Sequence, residues 1–151
     1  MKTWFALFAA LLCSLAHAQL QVHKLDGSSV TLDAARLAAL PHEPVKAEAH
    51  GHKVELPAVD LREVLRAAGI APPEQVRGAA LRQVLLAGAK DGYVAAFSWG
   101  ELDPALGGRR VFVVTDGLKP EEGPLRLLVP SDARPARWVR QLESLRLISP
   151  P

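Results

Sequence analysis

The chain has 151 residues, with 18 Lys and Arg, 16 Asp and Glu and a single cysteine. A chain of this length can bury one substantial core, which predicts a single domain. Its charges nearly balance, so it lacks the basic surface that nucleic-acid binding requires, and we expect no nucleic-acid partner.

Residues 1–18 have the anatomy of a secretory signal peptide. A positive start at Lys2 precedes an apolar stretch, and the sequence Ala-His-Ala at its end supplies the small-x-small cleavage pattern. We expect Sec-type export, cleavage after Ala18, and a periplasmic or secreted domain of residues 19–151 with no membrane anchor. A lipoprotein anchored through Cys13 is the alternative, although Cys13 lies inside the apolar stretch.

Cleavage would remove the only cysteine of the chain. The mature part would then have no disulfide and no thiolate metal ligand, so its stability would come from packing. Removing Lys2 also leaves 17 basic residues against 16 acidic ones, close to neutrality.

The mature sequence opens with a predicted hairpin and a short helix. The segments 20–25 and 30–32 flank a turn at Asp26 and Gly27. Asp33 can cap the helix that follows, whose apolar residues recur at helical spacing.

A half-buried strand and the clearest helix come next. Apolar and charged residues alternate over 45–49 and again over 54–56, as they do in a strand with one buried face. Asp60 and Glu63 form a variant of the capping box at the start of the helix, and Gly69 is placed to end it.

The second half of the chain is predicted to be mostly strand. Apolar runs at 84–87 and 93–97 form a second hairpin, and Ser98 with Glu101 repeats the capping box ahead of a short helical turn. The remaining predicted strands are 111–114, 125–129 and 145–148. Because hairpins alternate with helices, we expect an α+β domain with a largely antiparallel or mixed sheet.

Arginines cluster after the strand at 125–129. Arg134 and Arg137 flank Pro135, which suits the first turn of a helix whose free N–H groups and dipole favour an anion. Guanidinium groups bind phosphate or carboxylate in bidentate fashion, so a small anionic ligand is predicted here. A solvated helix face, with Trp138 packed on the sheet, is the alternative.

Arg126 lies within the apolar strand itself. A semi-buried arginine needs a partner, and either a ligand or an internal Asp or Glu would serve.

His50 and His52 form the other constellation that could support chemistry. Residues two apart in a strand share a face, so the pair could offer two imidazoles to zinc or copper, with Glu48 in the same register. A surface loop rich in His and Gly explains the same residues, because two ligands do not complete a metal site.

Several motifs follow one another along the mature chain. They are Leu40-Pro41 ahead of a strand, the helix 61–69, Asp91-Gly92-Tyr93, the segment 123–130, and Arg137-Trp138. In this order they resemble the molybdopterin-binding domain of the sulfite-oxidase family over nearly the whole mature chain. The resemblance implies an α+β fold, a pocket for a phosphate-bearing pterin, molybdenum held by one cysteine thiolate, and oxygen-atom transfer. Arg126, Arg134, Arg137 and Trp138 would contribute to that pocket.

The sequence departs from that family at the metal. Residues 47–52, which stand where the family carries its molybdenum-ligating cysteine, read Ala-Glu-Ala-His-Gly-His. The leader also lacks the arginine pair of the twin-arginine route, which exports folded proteins. We therefore expect no bound cofactor and an exported, non-catalytic module for ligand binding, sensing or assembly with a periplasmic partner protein. An active molybdopterin-dependent oxidoreductase with a non-cysteine ligand and a metal-binding protein using His50 and His52 are the alternatives.

Overall fold

The computed structural model describes residues 18–151. The predicted signal peptide, apart from Ala18, and Cys13 lie outside the described residues. Within this range no helix has the length and apolar character needed to cross a membrane.

Strands dominate the described part of the chain. In chain order its strands and α-helices are β1 (Gln19–His23), β2 (Ser29–Asp33), α1 (Ala34–Ala38), β3 (Glu43–Ala49), β4 (His52–Asp60), α2 (Leu61–Ala67), β5 (Val84–Ala89), β6 (Val94–Ser98), β7 (Phe112–Val114), β8 (Arg126–Leu128) and β9 (Leu142–Ile148). Short 3₁₀ helices cover Gly78–Arg82, Gly100–Leu102 and Pro135–Arg137.

The strands divide into two sheets. One has five strands in the order β2-β1-β9-β5-β6, and the other has four in the order β3-β4-β7-β8. Every pair is antiparallel except β1 with β9, which joins the two ends of the described chain in parallel. Buried apolar side chains of both sheets and both α-helices belong to one core cluster. The predicted α+β class with mixed sheets is therefore confirmed.

Local signals in the sequence place most of these elements. Asp33 accepts a hydrogen bond from the Arg36 backbone N–H (2.9 Å) and Asp60 accepts one from that of Arg62 (2.9 Å), so both predicted N-caps are present. Gly69 ends α2 with a φ of 77°, which a residue with a Cβ rarely adopts.

The region after β8 differs from its prediction. The helix expected at Pro135 is a single 3₁₀ turn, because the backbone leaves helical geometry at Trp138 (φ −83°, ψ 81°). The Val139 carbonyl then accepts a hydrogen bond from the Leu127 N–H of β8 (2.8 Å). The solvated helix face considered as the alternative therefore does not extend beyond Arg137.

Candidate functional site

Arg137, predicted to bind an anion, has carboxylate partners within the protein. Its Nε and Nη2 donate to the two oxygens of Asp132 at 2.8 and 2.7 Å, and its Nη1 donates to Glu101 at 3.1 Å. These contacts, led by the hydrogen bond to Asp132, raise the pKa of Arg137 above its usual value. The guanidinium also lies 4.7 Å from the ring centroid of Phe97. Its side chain is thus held by the protein itself.

Arg109 completes a four-charge network with the same two carboxylates. It lies 2.8 Å from Asp132 and 3.0 Å from Glu101, and its Nη1 also donates to the Ser131 hydroxyl at 2.8 Å. Hydrogen bonding from Arg137 and the charges of both arginines lower the pKa of Asp132. Two cations and two anions balance in this network, so a phosphate here would have to displace a carboxylate.

Gly107 positions one corner of that network. A Cβ at this position would collide with the backbone of Glu101, so only glycine lets the chain pass here before Arg109. Sequence reasoning missed Arg109. The Gly107-Gly108-Arg109-Arg110 run is the signal that marks the loop, but not the carboxylates that Arg109 contacts.

Arg126 and Trp138 are both buried and lie close to each other. Arg126 is 7% exposed, forms an ion pair with Glu122, and lies 5.5 Å from the Trp138 ring centroid. Burial lowers the pKa of Arg126, and the charge of Glu122 opposes that shift. The Trp138 indole donates to the Val129 carbonyl at 3.0 Å. Of the two partners considered for Arg126, the structure provides the internal carboxylate.

Arg134 remains at the surface. It is exposed, and within residues 18–151 it has no ion pair. Arg134 is thus exposed, whereas Arg126 and Trp138 are buried and Arg137 has internal partners. The predicted phosphate site at Arg134 and Arg137 stays a prediction.

His50 and His52 lie at the tip of the β3–β4 hairpin. His50 is in the two-residue turn with a φ of 51°, followed by Gly51 with a φ of 77°, and His52 begins β4. His50 is therefore not in a strand, as the predicted shared face requires. In the described part of the chain no group of three His, Cys, Asp or Glu side chains could hold a metal ion. The zinc or copper site stays a prediction for metal titration to test.

A cavity of about 320 Å³ lies at the start of α2. Its apolar lining is Leu61, Leu65, Pro73, Leu102, Pro104 and Val111, and its polar lining is Asp60, Arg62, Arg109 and Arg110. Sequence reasoning missed this cavity because its wall joins α2, the loop after it and the segment before β7.

Arg110 is one of the residues that line this cavity. It contacts Asp60 and Glu43, each at 2.9 Å, and lies 4.7 Å from the ring centroid of Phe112. Hydrogen bonds to Glu43 and Asp60 raise the pKa of Arg110. Arg110 also lines a neighbouring groove of about 370 Å³ beside β3, so the two concave surfaces meet at this side chain.

The residues present do not fit a molybdopterin cofactor. Its molybdenum is held by a thiolate in the sulfite-oxidase family, and residues 18–151 contain no cysteine. Of the three arginines predicted to hold its phosphate, Arg126 and Arg137 contact carboxylates and Arg134 is exposed at the surface.

The α+β fold with mixed sheets, which the sequence predicted, is shared with part of a solved structure. Among solved structures the chain is similar to the sulfane dehydrogenase SoxCD from Paracoccus pantotrophus, with a TM-score of 0.66 and 18% sequence identity. The match covers 87% of this chain but only 38% of that chain, so it shows a shared fold. No protein-family profile matches the sequence, and no curated protein matches it.

Proposed function

We propose that the mature chain is an exported, non-catalytic binding module for a small ligand with an apolar body and an anionic group. The observation that carries this proposal is the cavity at the start of α2, whose mainly apolar lining also includes three arginines. Small-molecule sites are typically concave and mostly apolar, with a few convergent polar groups that orient the ligand.

The charge of the lining favours an anion. Arg62, Arg109 and Arg110 line the cavity together with one carboxylate, Asp60. The other carboxylates that contact these arginines are outside the lining, namely Glu43, Glu74, Glu101 and Asp132. A ligand carboxylate would replace one of these carboxylates as the partner of an arginine, as a phosphate would have to do at Arg137, while its apolar part lies against Leu61 and Leu65.

Benzoate is expected to raise the melting temperature of the protein more than its neutral analogue benzamide, at constant ionic strength. Arg62→Gln should reduce the benzoate shift, because it removes a cation from the cavity lining. Arg66→Gln should retain it, because Arg66 is on the same helix but contacts Glu63 and does not line the cavity. Equal shifts with benzoate and benzamide, or equal loss in both variants, would contradict an anion-selective cavity.

Export without a cofactor is tested on protein purified from the periplasm of its own host. We expect the intact mass of a chain that begins at Gln19, no stoichiometric molybdenum or pterin, and no oxidation of sulfite. The expectation is motivated by the Ala-His-Ala pattern and by the absence of a cysteine after Cys13. Stoichiometric molybdenum with turnover that disappears in His50→Ala would instead establish an active oxidoreductase with a new ligand.

A further inference from the structure

Among the described residues, no hydrogen-bond partner is recorded for the backbone groups on the outer edge of β3. The two-residue turn at His50-Gly51 sets the hairpin register, so alternate residues of β3 bond to β4. The N–H and C=O groups of Lys46 and Glu48 therefore point away from the sheet. No hydrogen bond recorded within residues 18–151 reaches them from another part of the chain. Such a row of free groups can pair with another strand.

The other three sheet edges are each closed at one or more points by the chain itself. On β8 the Leu127 N–H donates to the Val139 carbonyl (2.8 Å), and on β6 the Ser98 N–H donates to the Glu101 carboxylate (2.9 Å). On β2 the Thr31 carbonyl accepts a hydrogen bond from the Arg36 guanidinium (3.3 Å). Within residues 18–151 no hydrogen bond of this kind reaches the β3 edge, although Pro130 and Ser131 line the groove beside it.

The sequence of this edge is complementary to itself. In an antiparallel pair of two β3 strands related by a two-fold axis at Ala47, Lys46 of each copy stands directly opposite Glu48 of the other. Both residues have outward-facing backbone groups, so each opposed pair can exchange two hydrogen bonds. Pro44 has no N–H, which limits the pairing to this central stretch.

The charges of β4 extend this complementarity. Lys46 lies opposite Glu55, with 3.8 Å between Nζ and Oε2, and Glu48 lies opposite Lys53. Pairing two copies would produce rows of alternating charge across four strands: Glu55 and Lys46 of one copy, then Glu48 and Lys53 of the other. Opposite charges that face each other across strands stabilise a sheet, and like charges destabilise it.

We propose that the chain associates with a second copy of itself along the β3 edge, joining the two four-stranded sheets across a two-fold axis at Ala47. The rows of alternating charge favour a second copy of the chain as the partner, in the register that places Lys46 opposite Glu48. A strand that offered like charges opposite Lys46 and Glu48 would be disfavoured.

The test is sedimentation equilibrium of the purified full-length mature protein over a concentration series. We expect wild-type protein to show a monomer–dimer equilibrium. Lys46→Glu should weaken association by at least about tenfold, because a glutamate then faces Glu48 of the other copy at two places in each dimer. Restoring alternation with the fourfold variant Lys46→Glu, Glu48→Lys, Lys53→Glu and Glu55→Lys should recover the wild-type dissociation constant.

An edge proline supplies a second test that does not depend on charge. Lys46→Pro removes an outward-facing N–H, so it should prevent association while circular dichroism still reports a folded protein. Ser29→Pro, at the start of the edge strand β2, is the matched control and should leave association unchanged. A wild-type protein that stays monomeric at millimolar concentration overturns the proposal. A dimer that is insensitive to both Lys46 variants overturns it as well.

Discussion

Asp132→Asn is expected to lower the free energy of unfolding by about 2 kcal/mol, because it removes the charge shared by two arginines. The Asp132 carboxylate accepts three hydrogen bonds at 2.7 to 2.8 Å from Arg109 and Arg137, and its side chain is 13% exposed. Breaking a fully buried pair costs more, and the residual exposure of this network reduces the effect. Urea unfolding monitored by circular dichroism measures the difference.

Glu63→Gln is the matched control for this loss. Glu63 forms an exposed pair with Arg66 within α2, and removing such a surface pair should cost about 0.5 kcal/mol or less. Equal destabilisation by the two variants would contradict a stabilising role for the network.

Asp132→Asn also tests whether the Asp132 carboxylate excludes external anions. Phosphate, added at constant ionic strength, should stabilise Asp132→Asn more than wild type, because Arg109 and Arg137 then lack one carboxylate partner. An identical phosphate shift in the two proteins would mean that Asp132 does not compete with the anion.

Turns and helix starts were the features that the sequence predicted best. Asp26-Gly27 and Asp91-Gly92 lie between paired strands, and Asp33 and Asp60 cap their helices, because each of these signals acts within a few residues. The fold class followed from the order of these local elements.

Contacts between distant segments could not be predicted in the same way. The parallel pairing of β1 with β9 joins the ends of the described chain, and Arg109 meets a carboxylate 23 residues later. An arginine-rich segment reads the same whether its partner is a ligand or a carboxylate elsewhere in the fold. For that reason the sequence identified Arg126 and Arg137 as notable but could not name Glu122, Glu101 or Asp132 as their partners.

Asp103→Ala is expected to lower the melting temperature by roughly 10 °C, because two backbone N–H groups lose a charged acceptor. Asp103 is 1% exposed, and its carboxylate accepts hydrogen bonds from the N–H groups of Val76 (2.6 Å) and Ala105 (2.8 Å). It thereby ties the loop after α2 to the loop before β7, and residues of both loops line the cavity. Calorimetry measures the shift. Asp116→Ala is the control, since Asp116 is exposed and, within residues 18–151, accepts a hydrogen bond only from the N–H of Gly117.

Acid should remove the same stabilisation in the wild-type protein. The hydrogen bonds from Val76 and Ala105 lower the pKa of Asp103, so the unfolded chain binds a proton at a higher pH than the folded one does. The contribution of Asp103 is therefore complete above the ordinary carboxyl pKa of 3.8 and is lost as the pH falls through the lower folded value. Melting temperatures of wild type and Asp103→Ala should accordingly converge below about pH 4. A constant difference between them from pH 7 to pH 2 would show that the alanine acts through lost packing and not through the carboxylate.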